Sequence, residues 1–117
     1  MDLPILLVDD SALVRVATSR RLAERGLQVT ALGSWREAQD VDASGFAAAL
    51  LDVDLGDGLG TDVAAHLRAG APALPIAFLT AHEDGTLLDA ARAFGPVFSK
   101  ATGIGDAISW VLAVVAT

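Results

Sequence analysis

The sequence predicts an α/β protein built on five parallel strands joined by helical crossovers. Short apolar runs of β-type residues alternate with longer stretches of helical periodicity along the 117 residues, the pattern that parallel strands and crossover helices impose. One run, Phe46-Ala47-Ala48-Ala49-Leu50-Leu51, contains no polar residue, as a central strand covered on both faces requires. Domains commonly run to about 100–150 residues, so residues 1–117 are expected to form one domain.

Each element has its own signal. The first strand spans residues 4–8, and Ser11 caps a helix running to Arg25, with Val14, Ala17 and Leu22 on one face and Gly26 ending it. The second strand covers residues 28–32. Ser34-Trp35-Arg36-Glu37 has capping-box spacing and opens a short helix that fades near Ser44, with Trp35 and Arg36 in packing or surface roles. The third strand covers residues 46–51 and sits at the centre of the sheet. A glycine-broken loop leads to a helix over residues 61–68, stopped by Gly70-Ala71-Pro72. The fourth strand, residues 76–79, ends in Thr80. A helix over residues 85–94 precedes a short fifth strand, residues 97–99, which ends in Lys100, and residues 104–116 form the last helix.

Composition excludes several function classes. Hydrophobic residues make up 53% and charged residues 20%, a balance that folds rather than remains disordered. A formal charge of −7 argues against direct nucleic-acid contact, which needs a basic face. With no cysteine, disulfides and thiolate metal sites are excluded. The amino terminus lacks the basic start of a signal peptide, and no apolar stretch reaches the roughly 18 residues of a membrane span, so no membrane association and a cytoplasmic location are expected.

The chemistry gathers at the strand ends. Asp9 and Asp10 follow the first strand, Asp52 the third, Thr80 the fourth and Lys100 the fifth. Ligands of open α/β sheets bind beyond the strand carboxyl ends, so a parallel sheet brings these residues to one rim. Clustered carboxylates attract a divalent cation with a preference for oxygen ligands. A carboxylate nucleophile with a hydroxyl and an ammonium nearby suits phosphoryl transfer through an aspartyl phosphate. Singly, each residue has a plainer role: Asp9-Asp10 as a helix cap, residues 52–58 as a solvated turn, Thr80 as a cap, Lys100 as a surface charge. Together their order and spacing favour one site.

This set resembles the receiver domains of two-component response regulators. The matching residues are Asp9-Asp10, Asp52 with Gly60 eight residues on, Thr80-Ala81 and Lys100. The resemblance implies a doubly wound, flavodoxin-like sheet of order 2-1-3-4-5 with helices on both faces. It implies that Asp52 is the phosphoacceptor, taking a phosphoryl group from a sensor histidine kinase or a histidine phosphotransfer protein. It further implies Mg2+ (or Mn2+) held by Asp9, Asp10, Asp52 and the backbone carbonyl of Asp54, with Thr80 and Lys100 bonding phosphoryl oxygens. Such a domain catalyses its own phosphorylation and dephosphorylation rather than turning over substrate as a conventional enzyme. A protein-interaction module that is never phosphorylated and a small Mg2+-dependent phosphatase are the alternatives. Asp52-Val53-Asp54 is also similar to the nucleophile motif of haloacid dehalogenase-type phosphatases, but it lies centrally and no cap insertion exists. As a calcium loop, residues 52–63 misplace the glycine and put Val63 where a bidentate Glu belongs.

Departures from the family pattern concern the readout. Val97 stands at the switch position, where the family commonly has an aromatic residue. Ala101 replaces the proline that follows the lysine through a cis bond, and a cis bond without proline costs about 2.5–4 kcal/mol, so either the site tolerates strain or the bond is trans. Leu55-Gly56 replaces the frequent Met-Pro and is expected to loosen the loop. Asp54 and His82 are expected to border the phosphoryl entrance and to tune the lifetime of the phosphorylated state, or else merely to be exposed. On the last helix Ile104, Ile108, Val111, Leu112 and Val115 form a core face. Trp110 and Val114 lie on another side, which suggests either a homodimer through this helix or extra core contacts.

Overall fold

The computed structural model describes residues 3–116. Strands β1 (Ile5–Val8), β2 (Val29–Leu32), β3 (Ala48–Leu51), β4 (Ile76–Thr80) and β5 (Val97–Ser99) form one parallel sheet in the order β2-β1-β3-β4-β5. The crossovers carry α1 (Ala12–Ala23), α2 (Trp35–Ala38), α3 (Gly60–Gly70) and α4 (Gly85–Arg92), and α5 (Ile104–Val115) follows β5. This is the doubly wound sheet and strand order expected.

Alternation along the strands sorts side chains onto two faces. Leu6, Val8, Ala49, Leu51, Ile76 and Phe78 pack with Ala38 of α2, Val63 and Leu67 of α3 and Ala91 of α4. Their neighbours in the same strands, Ile5, Leu7, Ala48, Leu50, Ala77 and Leu79, meet Leu22 of α1 and Ala107, Ile108 and Val111 of α5. Trp110 and Val114 also pack against this second core, so the added apolarity of α5 is spent on extra core contacts.

Local structure departs from expectation in three places. The face of α1 that meets the sheet runs through Val14, Thr18 and Leu22, while Ala17 is exposed; residues four apart stack on one side of a helix, and Ala17 lies off that line. The helix opened by Ser34 ends at Ala38, and a separate 3-10 turn, Ala43–Gly45, is capped by the Asp42 carboxylate. Phe46 donates its amide to the Ala43 carbonyl of that turn, so β3 begins at Ala48.

Register positions the functional rim. Val8 pairs with Leu51, so Asp9 and Asp52 emerge side by side, and Thr80 pairs with Ser99, which brings Lys100 to the same edge. Among the described residues no helix is long and apolar enough to cross a membrane.

Phe78 is fully buried in β4, whereas Leu13 on α1 is 80% exposed. Phe78→Ala should therefore cost about 3–5 kcal/mol in urea denaturation, and Leu13→Ala should stay within about 0.5 kcal/mol of the parent.

Candidate functional site

The three acids come together. One carboxylate oxygen from each of Asp9, Asp10 and Asp52 lies within 4.8 Å of the others. Asp9 and Asp52 are buried, at 1% and 6% exposure, and Asp10 is exposed. Lys100 reaches across from β5 and places its Nζ 2.8 Å from Asp9 Oδ2 and 2.7 Å from Asp52 Oδ2. The other oxygens of the buried pair accept backbone amides, Asp9 Oδ1 from Ser11 at 2.9 Å and Asp52 Oδ1 from Val53 at 2.7 Å. Arg15 of α1 donates to the Asp9 carbonyl at 2.7 Å and fixes the end of β1. One ammonium faces three carboxylates, so the cluster retains negative charge, and that charge is open to solvent at Asp10.

Burial pushes the Asp9 carboxyl above its ordinary value, and the nearby Asp52 charge acts the same way; the hydrogen bonds from Lys100 and Ser11 pull against them without prevailing. Burial also opposes the charge on Lys100, but hydrogen bonds to Asp52 and Asp9 outweigh it and hold the ammonium above its ordinary value.

An open cavity of about 330 Å³ lies over the cluster, bordered by Asp10, Asp52, Asp54, Thr80 and His82. The Thr80 hydroxyl accepts the His82 amide at 3.0 Å, and the Lys100 amide bonds the Thr80 carbonyl, extending the β4 to β5 pairing past the strand ends. Asp54 is exposed, and its carboxylate is turned onto its own loop, where it accepts the Gly56 amide at 3.0 Å. Asp10, Asp52 and Thr80 of the sequence-derived set thus border one cavity with Asp54 and His82, while Asp9 and Lys100 lie behind it, joined to Asp52 through the Lys100 ion pairs. Val97 lies apart, half-buried, beside a second cavity of about 370 Å³ bordered also by Leu88, Phe98 and Ala101. The bond from Lys100 to Ala101 is trans.

The loop after Asp52 is more tightly held than Leu55-Gly56 suggested. Leu55 is buried, its amide bonds the Gly58 carbonyl, and Asp54 bridges antiparallel to Leu59, making a small hairpin whose turn uses Gly56 at φ 82°. The hairpin returns directly beneath Asp52: a Cβ on Gly60 would strike the Asp52 carbonyl oxygen. Asp62 accepts the Leu59 amide at 3.1 Å and closes the start of α3. At the hairpin tip Asp57 accepts the Trp35 and Arg36 amides at 2.9 and 3.0 Å. Sequence reasoning missed Asp57 and Arg15. A trace of the first existed: in Ser34-x-x-Glu37 the serine serves the Glu37 amide, which leaves the two preceding amides in need of an acceptor from elsewhere.

Comparison with known proteins agrees with this geometry. The response regulator receiver domain family matches residues 5–97. The chain belongs to that family. Among curated proteins none matches it in sequence. A response regulator receiver protein from Sinorhizobium medicae WSM419 superposes with a TM-score of 0.86 at 23% identity, covering 99% of this chain and 96% of that one. The beryllofluoride-activated DrrB receiver domain gives 0.84 at 17% identity, with 100% of both chains covered. A response regulator from Burkholderia pseudomallei, solved with a phosphorylated aspartic acid, a calcium ion and citrate, gives 0.80 at 23% identity over 97% of this chain and 66% of its own. These likenesses establish the receiver fold. Lys100 lies beyond the matched segment, and its place at the site rests on its ion pairs.

The Asp9 shift gives a signed expectation for this receiver domain. With the folded value raised, the native chain holds a proton that the unfolded chain has lost between the ordinary carboxylate value of 3.8 and the raised one. The charged Asp9 therefore costs stability at neutral pH, and this cost disappears as pH falls below both values. Asp9→Asn should raise the melting temperature in metal-free buffer at pH 7, with the gain shrinking as pH is lowered toward 3.8; a gain that grew on acidification would contradict the assignment.

Proposed function

We propose that this receiver domain accepts a phosphoryl group on Asp52 from a histidine kinase or histidine phosphotransfer protein, and signals by the rearrangement that follows. The observation that carries the reading is the buried Asp9, Asp52 and Lys100 triad beside exposed Asp10 at the mouth of one cavity. Asp9, Asp10, Asp52 and the Asp54 carbonyl would hold Mg2+ or Mn2+; all four are hard oxygen donors, and the surplus negative charge at Asp10 fits a divalent cation. When bound, such a cation neutralises phosphoryl oxygens.

In the transfer an Asp52 oxygen attacks phosphorus, a P–O bond forms, the P–N bond to the donor imidazole breaks, and the freed nitrogen takes a proton from solvent. The Lys100 ammonium, bound to Asp52 at rest, can pass a hydrogen bond to the added phosphoryl oxygens, and the Thr80 hydroxyl, which accepts from His82, still has its own proton to donate. Hydrolysis reverses the gain: water attacks phosphorus, the P–O bond to Asp52 breaks, and phosphate leaves. Asp54 and His82 border the water's approach and are proposed to tune its rate. Leu13 and Val16, 80% and 58% exposed on α1 just after Asp10, offer an apolar contact for the donor protein. Homodimerisation through α5 draws no support from Trp110 and Val114, since both pack inward.

Incubation with acetyl phosphate and Mg2+ should add one phosphoryl group, mapped by mass spectrometry to Asp52 and lost in Asp52→Asn or in excess chelator. Failure to bind either acetyl phosphate or beryllofluoride would favour an unphosphorylated interaction module, and multiple turnover of a phosphate ester would favour a phosphatase. Asp54→Asn and His82→Ala should each change the first-order dephosphorylation rate by about twofold or more, corresponding to roughly 0.4 kcal/mol in the barrier; unchanged rates in both would remove these residues from the account.

A further inference from the structure

The turn at the tip of the acceptor loop makes a contact that the phosphoryl chemistry does not use. Asp57 lies at the far end of the hairpin whose base is Asp54 and Leu59, and its two carboxylate oxygens take the Trp35 and Arg36 amides separately, Oδ1 at 2.9 Å and Oδ2 at 3.0 Å. Ser34 Oγ takes the Glu37 amide at 3.1 Å, so one external carboxylate and one local hydroxyl together satisfy the first turn of α2. Gly58 adjoins the same contact so closely that a Cβ there would come within 2.8 Å of the Trp35 side chain. The carboxylate is held below its ordinary value by the amides of Trp35 and Arg36, which marks the contact as charge-assisted.

We infer that Asp57 is a positioning residue for the cation site, fastening the tip of the hairpin to α2 and thereby fixing the direction of the Asp54 carbonyl at its base. The inference rests on the phosphoacceptor reading above. A hairpin of six residues hinged at Asp54 and Leu59 can tilt about its base, and a tilt swings the Asp54 carbonyl relative to Asp10 and Asp52. The internal bond from Leu55 to Gly58 sets the shape of the turn, but it does not fix the tilt of the hairpin against α2. The two-point contact with α2 fixes it instead. Outer partners that hydrogen-bond metal ligands commonly change metal affinity by about 10–100-fold; Asp57 acts one step further out, through the hairpin, so the lower end of that range is expected.

Amide NMR of the full chain tests the assignment, with Mg2+ alone as the titrant. In the parent the Trp35 and Arg36 amides should be protected from hydrogen exchange without metal, and resonances of residues 54–58 should shift as Mg2+ is added. In Asp57→Ala that protection should be lost and the Mg2+ concentration at half-saturation should rise about tenfold, with Asp57→Asn between the two because its one amide oxygen can replace one acceptor. Asp42→Ala, which removes an exposed cap from the 3-10 turn before β3, should leave Mg2+ binding at the parent value. An unchanged half-saturation in Asp57→Ala, in a parent that binds Mg2+ and is phosphorylated on Asp52, would overturn the positioning role alone. Equal weakening in Asp42→Ala would overturn it too, by reducing the effect to general loss of stability. A parent that neither binds Mg2+ nor takes phosphate would overturn the phosphoacceptor reading and this inference with it.

Discussion

Burying two carboxylates next to each other is unfavourable twice over, through lost hydration and through mutual repulsion, and the Lys100 ammonium is what offsets both at the end of this sheet. Order β1-β3-β4-β5 sets Lys100 two strands from Asp52 and three from Asp9. Neighbouring strands are about 4.8 Å apart, so only a long side chain can cross β4 and still meet both acids. The backbone assists at each end: the Ser11 and Val53 amides take the carboxylate oxygens that Lys100 does not, and Arg15 holds the Asp9 carbonyl. Removing Lys100 would leave both buried carboxylates uncompensated, a loss of about 3–5 kcal/mol, whereas removing Asp9 leaves Lys100 paired with Asp52. The site is therefore a structural commitment as well as a chemical one, and the strand register that places Asp9 beside Asp52 is fixed by the same apolar residues that fill the core.

Much of this was legible in the residues. Unbroken apolar runs at β1, β3 and β4 mark strands covered on both faces, and polar residues at their carboxyl ends mark the rim, because both signals are local and periodic. What could not be read is pairing at a distance. The sequence groups Lys100 with the acids, but the choice of Asp9 and Asp52 over Asp10 depends on burial and strand order. Asp57 looked like one more turn residue, since its partners lie 22 and 21 residues away in another element. Leu55-Gly56 reads as a loose loop, yet Leu55 is buried and the hairpin is bonded internally and at its tip. Phe46 continued an apolar run, and only the competing turn at Ala43–Gly45, which uses its amide, excludes it from β3.

Position 97, where the family commonly has a ring, carries a half-buried valine. Val97 packs on the core with its strand neighbours and leaves open space beside Leu88 and Phe98. That groove and the cavity over the acids share Thr80, Ala81 and His82, so the segment leaving β4 is the wall between them. A bulky side chain turning between two positions would displace neighbours on both sides of such a wall. A valine has too little volume to do so. What remains connected is the backbone: Thr80 holds the His82 amide through its hydroxyl and the Lys100 amide through its carbonyl, while Lys100 holds the acids. Any movement of Thr80 toward Asp52 therefore acts on the His82 amide and on the Lys100 backbone at once. The Asp84 cap at the start of α4, only two residues past His82, is the next element it meets.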